Sequence, residues 1–144
     1  AMAAICEENE IARDFYLAAY THPMTLDIIR KNDAQRAKLV FDEYCRDWTE
    51  KYFMESETLV SGIEYATLMT TESSAGLELR IAGALNSIMF IYQVPEQIRR
   101  RKISKVLTLD YPQIGRRMLA DFVDYIEETT EQAFEEMCQR QNRT

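Results

Sequence analysis

Scarce breakers constrain this chain most. Three prolines and four glycines stand among 144 residues, too few to interrupt regular structure often. Long segments with short connections follow, and every apolar segment fits a 3.6-residue period better than a two-residue one. The chain therefore reads as all-α, a bundle of about six helices in one domain over residues 1–144, with no convincing strand. A single domain of this length can bury a core of its own.

The expected helices follow from period and punctuation. Residues 2–20 place Ile5, Ile11, Ala12, Phe15, Tyr16 and Ala19 at helical spacing. That segment has no capping residue before it, and with the leading "AM" this suggests a chain cut from a longer one; a natural start at Met2 is the lesser alternative. Pro23 ends it. A second helix runs from about Thr25 to Tyr44, with "KND" (31–33) as a candidate break. A third runs from about Thr49 to Thr70, with Asp47 or Thr49 as its cap. "TTESSAG" is the clearest loop, from which Ser73 or Ser74 would cap a fourth helix over Leu77–Gln93. Pro95 starts a fifth and "DYP" (110–112) the last, which reaches about Gln139.

Composition excludes several functions. The net charge of −7 disfavours direct nucleic-acid binding by the bulk of the chain, because phosphate neutralisation needs a basic face. Cys6, Cys45 and Cys138 are scattered and form no CxxC pair. They read as reduced thiols of a cytoplasmic protein, with no zinc site. No apolar run reaches the length of a membrane span. The only histidine, His22, sits at a helix end beside Pro23, and HExxH, GxSxG, P-loop and GxGxxG patterns are absent. No metal, cofactor or catalytic residue is expected. "RRRK" (99–102) reads as a solvated helix face, with Glu96 four residues before Arg100 and with Ile98, Ile103, Val106 and Leu107 behind it.

Two helices carry more apolar surface than one bundle needs. "IAGALNSIMFIY" is apolar on nearly every face, with Gly83 and Ser87 four apart and Ala82 and Ala84 beside the first. The last helix has a stripe of Met118, Phe122, Tyr125, Ile126, Thr129, Ala133 and Met137. Two such faces on adjacent helices suggest an isologous four-helix subunit contact; the alternative is packing within one bundle.

Glu64, inside "LVSGIEYATLMTT", poses the remaining question. Ionised carboxylates are not buried without partners. Either Glu57 and Glu64 edge the apolar stripe and reach water or an arginine, or Glu64 walls a cavity beside Tyr65, facing Tyr16, Tyr20, Trp48 or Tyr52. Eight tyrosines, seven methionines and one tryptophan suit an adaptable, partly polar pocket.

The order of segments resembles the C-terminal domain of TetR-family transcriptional regulators, over nearly the whole chain. "IARDFYLAAYTHPMTLDII" looks like the connecting helix and its partner, and "WTEKYFMESETLVSGIEYATLMT" like the helix of the ligand pocket. "LELRIAGALNSIMFIYQVPEQIRRRKISKVL" and the final helix look like the dimerising pair. The family's N-terminal helix-turn-helix is absent. The resemblance implies a non-enzymatic, homodimeric domain that binds a small-molecule effector and controls DNA binding by that missing part. The pocket residues it suggests are Tyr16, Tyr20, Phe41, Tyr52, Phe53, Ser61, Glu64, Tyr65, Asn86 and Met89, with Glu64 and Asn86 as polar anchors. The interface residues are Leu79, Gly83, Ser87, Met118, Phe122, Tyr125, Ile126 and Thr129. Two rival classes stand beside it: a small all-α enzyme with an apolar pocket, and a protein–protein adaptor without a cavity.

Overall fold

The computed structural model describes residues 1–70 and 75–141, with 133–141 as backbone alone. Among the described residues there are seven helices and no strand: α1 (Met2–Glu8), α2 (Glu10–Thr21), α3 (Pro23–Phe41), α4 (Glu50–Met69), α5 (Leu77–Ile91), α6 (Glu96–Leu107) and α7 (Tyr111–Gln141). The all-α expectation holds, with one helix more than the six expected.

The extra element comes from residues 2–20. Asn9 takes an extended backbone, and its side chain accepts from the Ala12 N–H at 3.0 Å. That bond satisfies an orphan donor of a new helix and ends α1 after two turns. The apolar spacing runs in phase through Asn9, which is why periodicity alone joined the two. "KND" breaks nothing: α3 is continuous, held on its surface by Lys31–Asp27 at 2.6 Å and Arg36–Asp33 at 3.3 Å, both at the spacing that supports a helix. Its start is Pro23, with His22 before it as the cap. Thr49, not Asp47, precedes α4, without a side-chain cap bond. Ser73 and Ser74 lie outside the described residues; Gly76 precedes α5. Asp110 starts α7 by accepting from the Gln113 N–H at 3.0 Å.

The most extensive packing is that of α3 on α4, followed by α5 on α6 and α4 on α5. The short α1 is wedged among α2, α4, α5 and α7. Gly115 permits the α1–α7 approach: a Cβ there would lie 2.7 Å from Ile5 Cγ1, so only glycine fits without displacement. α7 enters the bundle at this point and touches α2 through Phe122, whose ring lies 5.1 Å from that of Phe15. With 31 residues, it is about 46 Å long at 1.5 Å per residue.

Two cores result. One gathers Ala34, Ala37, Cys45, Phe53, Val60, Tyr92 and Val94. Its centre is aromatic: Phe41 stacks on Tyr92 at 4.4 Å, and Trp48 meets Phe53 edge-on at 5.3 Å. Burying one such ring contributes about 1.5–3 kcal/mol. Gln93, at φ 57°, turns the chain between α5 and α6 and leaves Tyr92 and Val94 inside. The other core gathers Ala3, Cys6, Leu68 and Ile81, with Tyr16 and Tyr20 partly buried against it. Cys6 and Cys45 are buried free thiols. No described helix is long and apolar enough to cross a membrane.

Candidate functional site

α4 sets a polar row inside the bundle. Glu57, Ser61 and Glu64 are four and three residues apart, which places them on one helical face. Glu57 is only 2% exposed and Ser61 3%. Each has a partner from another element. The Tyr92 hydroxyl donates to Glu57 Oε1. Arg30 Nε of α3 donates to Ser61 Oγ at 3.0 Å. The Tyr20 hydroxyl of α2 donates to Glu64 Oε2 at 2.7 Å. A buried carboxyl with a hydroxyl donor is tolerable, whereas one without it is costly.

The electrostatics are those of acids in low dielectric. Burial pushes the Glu57 carboxyl above its ordinary value, opposed by the Tyr92 bond and reinforced by Asp33 and Glu64. Burial does the same to Glu64, opposed by the Tyr20 bond and reinforced by Asp33. Burial, then the facing carboxylates, raise the Tyr20 and Tyr92 hydroxyls, which stay protonated donors. The row can therefore hold a proton or accept a hydrogen bond.

Glu57 overturns one of the two sequence alternatives, the one that set it at the stripe edge reaching water or an arginine. It lies in the core because Tyr92, delivered by the turn at Gln93, supplies a donor there. Tyr92, Arg30 and Asp33 were not anticipated as site residues. Arg30 and Asp33 carried a signal, since they fall three apart on a helix that faces α4.

Glu64 also borders a cleft of about 160 Å³ whose apolar wall includes Met2, Leu68, Ile81, Leu85 and Ile88, with Thr67 beside it. Thr67 itself donates to the Ile63 carbonyl at 2.7 Å. The cleft is smaller than the roughly 300–1,000 Å³ usual for drug-sized ligands.

The other suggested pocket residues fall in several places. Tyr20, Glu64 and Tyr65 come together, the two rings 6.4 Å apart. Phe41, Phe53 and Met89 belong to the aromatic core. Tyr52 lies at its rim, 57% exposed, 6.2 Å from Trp48. Tyr16 packs on the second core. Asn86, expected as the second polar anchor, lies exposed on the outer face of α5 and accepts from Arg99 Nε at 2.9 Å. The inward positions of α5 are occupied by Ile81, Leu85 and Ile88, and Asn86 falls between them.

The suggested interface residues Leu79, Gly83, Ser87, Met118, Phe122, Tyr125, Ile126 and Thr129 are all exposed. They do not form one patch on the chain. α5 packs on α4 and α6, while α7 packs on α1, so the two faces do not sit on adjacent helices as expected. The side chains of Ala133 and Met137 lie outside the described residues. His22 is exposed, its Nδ1 3.4 Å from Thr25 Oγ1. Arg100 pairs with Glu96 at 2.6 Å as the solvated-face reading expects. No described cluster of His, Cys, Asp or Glu could hold a metal ion.

No protein-family model, curated protein or solved structure matches this chain.

Proposed function

We propose that this chain is the ligand-sensing and homodimerisation domain of a TetR-like bacterial transcriptional regulator, and that it is not an enzyme. The observation that carries the sensing half is Glu64. It is a half-buried acceptor, held by Tyr20 on one side and bordering an apolar cleft on the other. A polar anchor in an apolar surround is the usual design of a small-molecule site. A ligand entering there would press on α1, α4 and α5 together and could compete with Tyr20 for the carboxylate. Such a ligand shifts a conformational equilibrium only if it binds the two states differently. DNA contact in this reading belongs to a helix-turn-helix of the parent protein, and the domain works in the cytoplasm. The large apolar side chains left exposed on α5 and on α7, Leu79, Phe90, Met118 and Tyr125 among them, support the dimer half, since apolar surface of this kind marks association.

Native mass spectrometry of the purified chain tests both halves. The expected result is a dimer carrying extra small-molecule mass. A dimer that stays bare after incubation with a broad panel of cationic and hydrogen-bonding compounds removes the sensing half. For a bound compound identified this way, Glu64→Gln is expected to weaken binding about tenfold, the loss of one charge-assisted bond; unchanged affinity by titration calorimetry would release Glu64 from the site.

A second reading, a protein–protein adaptor, is favoured by one feature. An open groove of about 460 Å³ runs between α2 and α7, lined by Ile11, Phe15, Met118, Phe122 and Ile126. A bare monomer in the same experiment would favour it.

A further inference from the structure

We propose that two copies of this chain dimerise by exchange, α7 of each lying in the α5–α6 groove of the other. The proposal rests on the homodimer reading above and adds its geometry. Within one chain α5 lies against α4 and α6 and α7 against α1; α1 and Tyr111 link their inner sides, while Gly83 of α5 and Tyr125 of α7 stay exposed. A contact that unites them comes from a second copy.

The groove fits a helix. It measures about 600 Å³, with Ala82 and Gly83 as its floor and Ile103 and Leu107 on the α6 side. A Cβ built at Gly83 meets nothing within 4 Å, so this face of α5 is uncovered. Small floor residues let a second helix reach the 8–10 Å axial separation of packed helices.

Charge selects the occupant. α6 carries Arg99, Arg100, Arg101, Lys102 and Lys105; Arg99 and Arg100 border the groove together with one acid, Glu96, so the helix as a whole stays basic. The outer half of α7 carries Asp121, Asp124, Glu127, Glu128 and Glu131, all exposed. No ion pair among the described residues joins α6 to α7: Arg100 pairs within α6, and Arg116 of α7 pairs with Glu8. Acidic α7 against a second α7 is repulsive, and against a second copy's basic α6 it is attractive. Phe122 leans on α2 through Phe15. Tyr125 and Thr129, further along the stripe and exposed, are the edge that faces the partner's Gly83. A two-fold axis repeats the contact, so both grooves are filled and the assembly closes.

Disulfide trapping tests the exchange. Gly83→Cys and Thr129→Cys are made separately in a Cys138→Ser background, mixed, allowed to exchange subunits, and oxidised with copper–phenanthroline. Cys6 and Cys45 are buried and leave the engineered thiols as the reactive pair. The expected product is a disulfide-linked dimer from the mixture and none from either variant alone. A sedimenting dimer that gives a Thr129→Cys self-link, or no link, overturns the exchange and leaves the dimer reading standing. A chain that sediments as a monomer removes both. Charge reversal gives an independent readout: Arg100→Glu raises the dimer dissociation constant about tenfold, and Glu128→Arg in the same chain restores it. Failure of the second change to restore the dimer also overturns the pairing.

Discussion

The inner face of α4 and the outer faces of α5 and α7 invert the usual rule. Inside α4, Glu57, Ser61 and Glu64 are polar yet enclosed, each bonded to a group from another element. Outside, Leu79 and Phe90 of α5 are each 67% exposed, and Tyr125 of α7 is 62% exposed. Among the described residues the polar row is fully partnered and the apolar faces stay exposed. Buried polar groups need partners for the chain to fold at all. Uncovered apolar side chains cost the folded chain nothing relative to the unfolded one, so they can wait for a partner. The first region then explains the fold, and the second points beyond it.

The largest effect that sharpens this contrast is in the aromatic core. Phe53 is 1% exposed, and Phe53→Ala should destabilise the chain by about 3–5 kcal/mol in urea unfolding. Leu79→Ala, on the outer face, should cost the monomer less than about 0.5 kcal/mol. Equal costs would mean that the outer face is covered within one chain.

Next comes the polar row. Tyr92→Phe removes the hydroxyl that donates to Glu57 and strands a buried carboxyl, at about 1–3 kcal/mol by the same unfolding measurement. A negligible cost would show that Glu57 finds water or another donor.

The row also sets a pH dependence. Glu57 and Glu64 titrate above their ordinary value of 4.5 in the folded chain. Over the window between that value and the raised ones, the folded state binds more protons than the unfolded state, so stability falls as pH rises. The contribution of these two groups is fully present below 4.5 and is lost as pH climbs through the raised values. Chemical denaturation across this window should show it, and the double variant Glu57→Gln, Glu64→Gln should flatten the profile. A variant profile parallel to the parent's would place the dependence elsewhere.

The smallest effect on folding, with the clearest effect on assembly, belongs to Gly83. A Cβ at position 83 meets open space and Gly83→Leu replaces a poor helix former, so the monomer should unfold at the same denaturant concentration or be stabilised by up to about 1 kcal/mol. In sedimentation the dimer should be lost. An unchanged dimer mass would remove α5 from the interface.

Much of the fold was legible because its signals are local. Pro95 and the "DYP" segment marked helix starts to within one residue, Pro23 marked the end of the helix before it, and Glu96–Arg100 pairing follows from spacing on one helix. The break at Asn9 had a local signal too, since asparagine is a strong cap, but the apolar phase on both sides masked it. The site was less legible. The sequence pairs Glu64 with Tyr20 as one alternative, yet it offers Glu57 only as a residue at the edge of the apolar stripe and Tyr92 only as the end of a helix. Their meeting depends on a turn 35 residues away in sequence, which no window along α4 contains.

By itself, then, the sequence determined the helical class, most helix ends and the amphipathic stripes, because capping, proline geometry and the 3.6-residue period act over a few residues. Only the tertiary structure decided which carboxylate is buried and which apolar faces stay open. Burial is a property of neighbours: α3 and Tyr92 come to cover one side of α4, and among the described residues none comes to cover the outer sides of α5 and α7.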